Sequence, residues 1–261
     1  MTAALDRLRG RLGELERVVV AFSGGADSAF LAHVAHDTLG RDNVLCATAV
    51  SASLPRDEEL DCEALAGDWG LRWTRVQTDE LANPAYVANN RDRCYYCKAE
   101  LMDVLAPVAA DESAVVALGV NVDDLGDHRP GQQAARERGA VFPLVDAGFT
   151  KSEVRETSQH LSLRTWDKPA AACLSSRLPY GVPVTIGRLG QVEAAERALR
   201  RLGFTQVRVR HYGDTARIEI DLPELGHVLD QRAAVVAAVR DAGYAYVTLD
   251  LEGFRSGNLN R

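Results

Sequence analysis

Over the first two-thirds of the chain, short runs of β-branched and small apolar residues alternate with stretches whose apolar positions repeat at helical spacing. Arg17 to Phe22, Val44 to Val50, Arg72 to Gln77 and Ala114 to Val120 read as strands, because β-branched side chains fit a pleated, buried surface. Between them, Asp27 to Leu39, Arg56 to Trp69 and Lys98 to Ala110 read as helices, and Met1 to Arg17 mixes Leu with Arg, Asp and Glu at helical spacing. This alternation predicts an α/β fold with a mostly parallel sheet and helices on both faces, since parallel strands need a crossover connection. Ligands of such sheets sit at the carboxyl ends of the strands.

Thr150 and Glu153 form a capping-box pattern that starts another helix. The pattern then breaks from Trp166 to Gly181, where prolines at 169, 179 and 183 forbid one continuous helix. Beyond it the order becomes helix (Ile186 to Leu202), strand (Gln206 to His211), a Tyr212-Gly-Asp turn, strand (Arg217 to Asp221), helix (Pro223 to Ala242) and strand (Tyr246 to Leu251). Two strands joined by a tight glycine turn and flanked by helices predict a small α+β domain. The expected organisation is therefore a nucleotide-type domain over 1–165, a linker over 166–184 and a smaller α+β domain over 185–261.

Composition narrows the partners. The 261 residues are 46% hydrophobic and 26% charged, enough to bury a core and too apolar for a disordered chain. A net charge of −7 gives no bulk attraction for nucleic acid, so small-molecule or protein partners are expected. No apolar run approaches the ~20 residues that span a bilayer, and a cytoplasmic protein is expected. Five cysteines, an odd set in a chain large enough to fold without disulfides, point to a reducing compartment and to metals, clusters or reactive thiols.

The sharpest local signal is Ala21-Phe-Ser-Gly-Gly-Ala-Asp-Ser28, placed after the first strand and opening a helix. Gly24 and Gly25 let the backbone approach an anion, Ser23 and Ser28 offer hydroxyls, and the helix N-terminus adds N–H groups and a partial positive charge. Phosphate is the natural occupant. The Gly-Lys-Ser/Thr ending of a Walker loop is absent, and Asp27 stands in the loop, where it can orient the backbone or help hold Mg²⁺.

Cys94 and Cys97 lie three residues apart beside Arg91, Arg93 and Lys98, which would lower thiol pKa values. The pair can be a redox dithiol, two metal ligands or chance. A four-cysteine zinc site would need a second Cys-x-x-Cys pair or suitably spaced histidines, and the sequence has neither. Cys46 falls in a strand and Cys62 in a helix, where each reads as a small buried hydrophobe. Cys173 remains as a third ligand, in a segment too broken for core packing and four residues before Arg177, which can stabilise its thiolate. Three thiolates suit a cubane with one iron open to exogenous sulfide.

The loop resembles the pyrophosphate loop of the N-type ATP pyrophosphatase (PP-loop) superfamily, which implies an adenine nucleotide alpha hydrolase-like, Rossmann-like fold and adenylylation with release of pyrophosphate. Over nearly the whole chain the resemblance is to the LarE family, the ATP-dependent sulfur-insertion proteins of lactate racemase nickel-pincer cofactor biosynthesis. It is carried by the phosphate loop and by Arg93-Cys-Tyr-Tyr-Cys-Lys98, Gly119-Val-Asn-Val-Asp-Asp-Leu-Gly-Asp-His-Arg-Pro-Gly131, Lys168-Pro-Ala-Ala-Ala-Cys-Leu-Ser-Ser-Arg-Leu-Pro-Tyr-Gly181 and Gln206 to Ile220. The family resemblance implies that carboxylates of pyridinium-3,5-biscarboxylic acid mononucleotide are activated by AMP transfer and converted to thiocarboxylates. It also implies ATP with Mg²⁺, a homo-oligomer (a hexamer) and the other enzymes of the same cofactor pathway as possible partners. Two sulfur sources are implied: a [4Fe-4S] cluster on Cys94, Cys97 and Cys173, which the three thiols favour, or Cys173 as a sacrificial donor.

Catalytic roles are thereby expected for Cys173, Asp27 and Arg177, and nucleotide contacts for Ser23, Gly24, Gly25, Asp27, Ser28 and Arg129. Asp124, Asp127 and Glu219 are candidates for a divalent ion; the two aspartates can equally cap the following helix. Arg208 and Arg210 alternate along a strand and so face one side; with Arg177 they are expected to bind the substrate's phosphate or carboxylates. Cross-strand ion pairing, for instance with Glu219, is the other reading of these charges. A PP-loop tRNA thiolase remains the alternative enzyme, and a non-catalytic nucleotide or cluster sensor the alternative class.

Overall fold

A computed structural model describes residues 3–126, 130–169 and 171–255. In chain order the elements are α1 (Ala3–Leu15), β1 (Val18–Ala21), α2 (Ala26–Leu39), β2 (Val44–Val50), α3 (Arg56–Asp68), β3 (Arg72–Gln77), α4 (Pro84–Val87), α5 (Arg93–Asp111) and β4 (Val115–Leu118). They continue with α6 (Pro130–Glu137), α7 (Pro143–Asp146), α8 (Lys151–His160), α9 (Ile186–Arg201), β5 (Val207–Tyr212), β6 (Thr215–Ile220), α10 (Leu225–Asp230), α11 (Arg232–Asp241) and β7 (Tyr246–Leu249). Two compact units form: Met1–Asn83 with Asp92–Ala171, and Pro84–Arg91 with Ala172–Arg261.

The first unit holds a parallel sheet in the order β3-β2-β1-β4. Strand β1 is apolar throughout because it is buried on both faces: Val18 and Val20 join a cluster with Leu5, Leu8 and Leu12 of α1, Phe30 and Leu31 of α2, and Leu65 of α3. Val19 points the other way, into a cluster with Leu101, Met102 and Leu105 of α5. This is the period-two alternation of a strand between two helical layers. Chain order reverses at β1, whose neighbours are β2 on one side and β4 on the other, so the crevice at the carboxyl ends of β1 and β4 is the expected ligand position of a doubly wound sheet. The expected α/β class is observed.

Helix α8 begins at the expected capping box, with Thr150 Oγ1 accepting from the Glu153 N–H at 3.3 Å and Glu153 Oε2 accepting from the Thr150 N–H at 2.8 Å. Helix α5 starts at Arg93, five residues before the predicted start at Lys98, so both cysteines of the pair are helical. Cys46 and Cys62 are fully buried in the core, as expected, and burial pushes their thiols up to about 12 and about 11.

In the second unit β5 and β6 form the predicted hairpin around Gly213 and Asp214, with β7 parallel to β6. Val207, Val209 and Ile218 pack with Ala195 and Leu199 of α9 and Val235 and Val239 of α11. The helix predicted over Pro223 to Ala242 is two helices. They break at Gln231, which takes φ −94° and ψ 15° while its amide donates to the Leu202 carbonyl at 3.2 Å. A side chain recruited by a neighbouring loop overrides local helix propensity at this point.

Candidate active site

Between Ala21 at the end of β1 and Ala26 at the start of α2, the chain turns through Phe22, Ser23, Gly24 and Gly25. Gly24 adopts φ +67°, and a Cβ there would lie 2.9 Å from Cys62 Sγ on α3. Glycine is therefore needed both for the left-handed backbone and for the close approach. Gly25 caps α2 without a side chain, so the first N–H groups of a 14-residue helix, with their dipole, face the loop. Buried Ser28 braces the loop from within: its Oγ lies 3.0 Å from Ser23 Oγ, accepts from the Ser23 N–H at 3.3 Å and reaches the Gly25 carbonyl at 3.2 Å. Ser23 is the exposed hydroxyl of the pair.

The loop after β4 meets this one. A Cβ on Gly119 would lie 2.8 Å from Ser28 N and 2.9 Å from Asp27 C, so the two backbones touch directly. Asn121 Nδ2 donates to Asp27 Oδ1 at 3.1 Å and thereby aims the loop carboxylate. Burial raises the Asp27 carboxyl above its usual range and Asp124 adds to this, against the lowering effect of Asn121, Lys151 and Arg155. Asp124 forms a capping box with Asn121 over the helical turn Val122–Leu125, and its other oxygen faces Lys151 Nζ at 3.5 Å. These contacts lie within the turn that carries Asp124 itself, whereas the following helix, α6, begins at Pro130. Asp127 and Arg129 lie outside the described residues.

Residues 166–169 bring a lysine to the same loop. Lys168 Nζ donates to the Gly24 carbonyl at 3.1 Å, to Glu58 Oε2 at 2.8 Å and to Asp61 Oδ2 at 2.6 Å. The sequence reading missed Lys168, Asn121 and the packing role of Gly119, although all three fall inside the motifs that carry the family resemblance. A lysine 144 residues downstream of Gly24 has no periodicity or spacing that would tie it there.

Cys94 is exposed and Cys97 half-buried on the first turns of α5. Helix α6 presses closely on that turn, since a Cβ on Gly131 would lie 2.9 Å from the Cys94 carbonyl oxygen. Cys97 Sγ is 3.8 Å from Glu80 Oε1, a buried carboxylate that also accepts from Thr78 Oγ1 at 3.2 Å. This pair supplies two thiols, and Cys173 belongs to the second unit. Among the described residues no group of three or more His, Cys, Asp or Glu is placed to hold a metal ion. Thiolate chemistry makes Cys94 and Cys97 suitable iron ligands, as it does Cys173.

In the second unit Cys173 is half-buried and opens a helical turn, Leu174–Arg177. Its carbonyl accepts from Ser176 Oγ at 2.7 Å and from Arg177 Nη1 at 3.0 Å, and Arg177 Nη1 also reaches the Ala172 carbonyl at 2.6 Å. The rest of the Arg177 guanidinium makes a bidentate pair with Glu196 of α9 at 2.8 and 3.0 Å, both side chains being almost fully buried. Arg177 therefore acts on Cys173 through the backbone, fixing the turn that carries the thiol. Tyr86 of α4 adds a buried 2.6 Å hydrogen bond to Ser175, and Asn89 Nδ2 reaches the Pro179 and Val182 carbonyls at 2.8 Å each. Residues 84–91 thus brace the cysteine segment from 89 residues upstream, which no local pattern reveals.

Arg208 and Arg210 alternate on β5 as expected, and both are buried. Arg210 donates twice to Glu219 Oε2, at 2.9 and 2.7 Å, and once to the Ser176 carbonyl at 2.7 Å. Glu219, fully buried, also accepts from Arg217 at 3.1 Å. Of its two predicted roles, Glu219 displays the cross-strand ion pair. Burial, reinforced by the Arg177 charge, lowers Arg208 to about 10, and its guanidinium stacks 5.2 Å from the Phe254 ring.

A phosphate-cradling strand-to-helix loop at the switch point of a parallel sheet defines the class of PP-loop, ATP-using enzymes. The NAD synthase family profile matches residues 6–93. An NH3-dependent NAD(+) synthetase of Halobacterium salinarum is 32% identical over 101 residues, 38% of this chain and 31% of the relative. Similarity over the whole length lies elsewhere. A pyridinium-3,5-bisthiocarboxylic acid mononucleotide synthase of Lactiplantibacillus plantarum is 42% identical over 251 residues, 95% of this chain and 91% of the relative. An uncharacterised protein of Synechocystis is 48% identical over 264 residues, 100% of this chain and 98% of the relative. The chain belongs to the pyridinium-3,5-bisthiocarboxylic acid mononucleotide synthase family, whose members are enzymes. No helix among the described residues is long and apolar enough to cross a membrane.

Proposed function

We propose that this enzyme adenylylates the carboxylates of pyridinium-3,5-biscarboxylic acid mononucleotide and converts them to thiocarboxylates. The observation that carries this is identity of 42% over 95% of the chain to a synthase of that bisthiocarboxylic acid, with the phosphate loop intact. In the first step a substrate carboxylate oxygen attacks the α-phosphorus of ATP and pyrophosphate leaves. Gly24, Gly25 and the α2 N-terminus receive the phosphates, with Mg²⁺ as their counter-ion and Asp27, held by Asn121, as its protein contact. The second step replaces AMP, a good leaving group, by sulfur at the acyl carbon.

For the sulfur source, the three thiols Cys94, Cys97 and Cys173 support one reading: they would hold a [4Fe-4S] cluster, which would supply sulfide taken from an external source. The pinned turn of Cys173 supports the second reading. There the Cys173 thiolate displaces AMP to give a thioester. Loss of the Cα proton and cleavage of Cβ–Sγ then release the thiocarboxylate and leave dehydroalanine at position 173. We further read the protein as a cytoplasmic homo-oligomer.

The test incubates oxygen-free protein with ATP, Mg²⁺ and the biscarboxylic mononucleotide, and follows pyrophosphate and product mass. Stoichiometric pyrophosphate and a gain of one sulfur for one oxygen are expected; tRNA-dependent pyrophosphate release would replace the reading with a tRNA thiolase. Iron and sulfide that vanish in Cys94→Ala, Cys97→Ala and Cys173→Ala identify the relay, whereas loss of the mass of hydrogen sulfide from Cys173 identifies the sacrificial route.

A further inference from the structure

The phosphate loop carries no lysine or arginine of its own, yet an ammonium is seated beneath it. Lys168 Nζ has three hydrogen-bond acceptors, Gly24 O, Glu58 and Asp61, matching the three N–H donors of an ammonium. Its own backbone is fixed as well, because Arg155 of α8 donates to the Lys168 carbonyl at 3.0 Å and to the Trp166 carbonyl at 3.2 Å. Glu58 and Asp61 face this ammonium, and Asp61 also pairs with Arg164 at 2.7 Å, so two carboxylates meet two cations and the charge is balanced locally. What remains for it to do at the loop is directional.

A trans peptide is planar, with C=O and N–H pointing in opposite directions. A Gly24 carbonyl drawn toward Lys168 and α3 therefore turns the Gly25 N–H to the opposite side, into the anion-binding face of the loop. Gly24, at φ +67° and without a Cβ, has no side chain to resist rotation of that peptide. Rotation would present a carbonyl oxygen to phosphate in place of an N–H. We propose that Lys168 is a positioning residue for ATP: by holding the Gly24 carbonyl it locks the Gly24–Gly25 peptide in the orientation that donates to the phosphates. This rests on the loop being the ATP site.

The experiment measures Mg²⁺-ATP binding by calorimetry on the full chain and on K168M, K168A and the triple variant K168M/E58Q/D61N, alongside thermal unfolding without nucleotide. K168M is expected to weaken ATP binding by about 10- to 100-fold, the scale of a charge-assisted hydrogen bond. The triple variant, which removes the repulsion between the two carboxylates, is expected to unfold at the temperature of the unaltered protein and still to bind weakly. Ethylammonium added to K168A should restore part of the affinity. Recovery of full affinity in the triple variant would overturn the proposal, since Lys168 would then serve only to neutralise Glu58 and Asp61. Unchanged affinity in K168M would overturn it too. An unaltered protein that binds no ATP would instead overturn the reading of the loop, and this inference with it.

Discussion

Gly119→Ala adds a single methyl at the point where the carboxyl end of β4 meets the start of α2. The new Cβ would lie 2.8 Å from Ser28 N and 2.9 Å from both Asp27 C and Ser28 Cα. All three are backbone atoms of a helix N-terminus, so no rotamer change relieves the contact. Relaxed contacts begin near ~3.5 Å, so the first turn of α2 has to retreat from β4 by roughly 0.7 Å. Overpacking of this kind costs about 1–3 kcal/mol, and for a unit of this size each kcal/mol lowers Tm by about 2–4 °C. The retreat also pulls Asp27 from Asn121, now 3.1 Å away, and displaces the N–H groups facing the phosphates. Misplacement by about 1 Å costs on the order of 100-fold in rate. Urea denaturation would report the stability change, and pyrophosphate release with ATP and the biscarboxylic mononucleotide would report the site. Activity within threefold of the unaltered enzyme, with stability unchanged within ~0.5 kcal/mol, would refute the argument that these two backbones are in obligatory contact.

Cys173→Ala should abolish sulfur transfer while pyrophosphate release continues; loss of both would make the residue structural. Asp27→Asn should remove both steps, because the metal contact would lose its charge; a variant with full ATP cleavage would sink the assignment. Tyr86→Phe removes one buried hydrogen bond to Ser175, worth about 1 kcal/mol, and should slow sulfur transfer while sparing adenylylation, as product mass and pyrophosphate read separately would tell. For acid stability, burial alone would push the Glu196 carboxyl up, but the Arg177 charge and hydrogen bonds bring it below its ordinary value. A carboxyl depressed in the folded state contributes stability above its unfolded pKa, about 4.3, that is lost as pH falls through the folded value. Urea midpoints should therefore fall steeply below about pH 4, and identical pH profiles for the unaltered protein and Glu196→Gln would refute this.

Local signals carried the elements that repeat or punctuate. Strand β1 is legible because its neighbours on both faces are apolar layers, the Thr150 and Glu153 cap because its hydrogen bonds close within three residues, and the phosphate loop because its glycines, hydroxyls and helix start are contiguous. The register of Arg208 and Arg210 on one face of β5 follows from strand geometry alone. Chemistry-bearing residue types were legible too, down to the cysteines and the acids. Their present partners were not. Arg177 and Arg210 read as substrate ligands, and the fold adds Glu196 and Glu219 as their ion-pair partners; Asp124, a candidate metal ligand, gains contacts with Asn121 and Lys151. Lys168 stands in a family motif but nothing along the chain ties it to the loop, and Tyr86 behind the cysteine turn carries no local signal. Sequence alone determined which residues have the chemistry and which segments repeat as strand or helix, since both depend on neighbours within a few positions. Tertiary structure alone decided which charges are already neutralised and which backbones touch. A buried charge takes the nearest opposite charge in space, and its distance along the chain does not enter that choice.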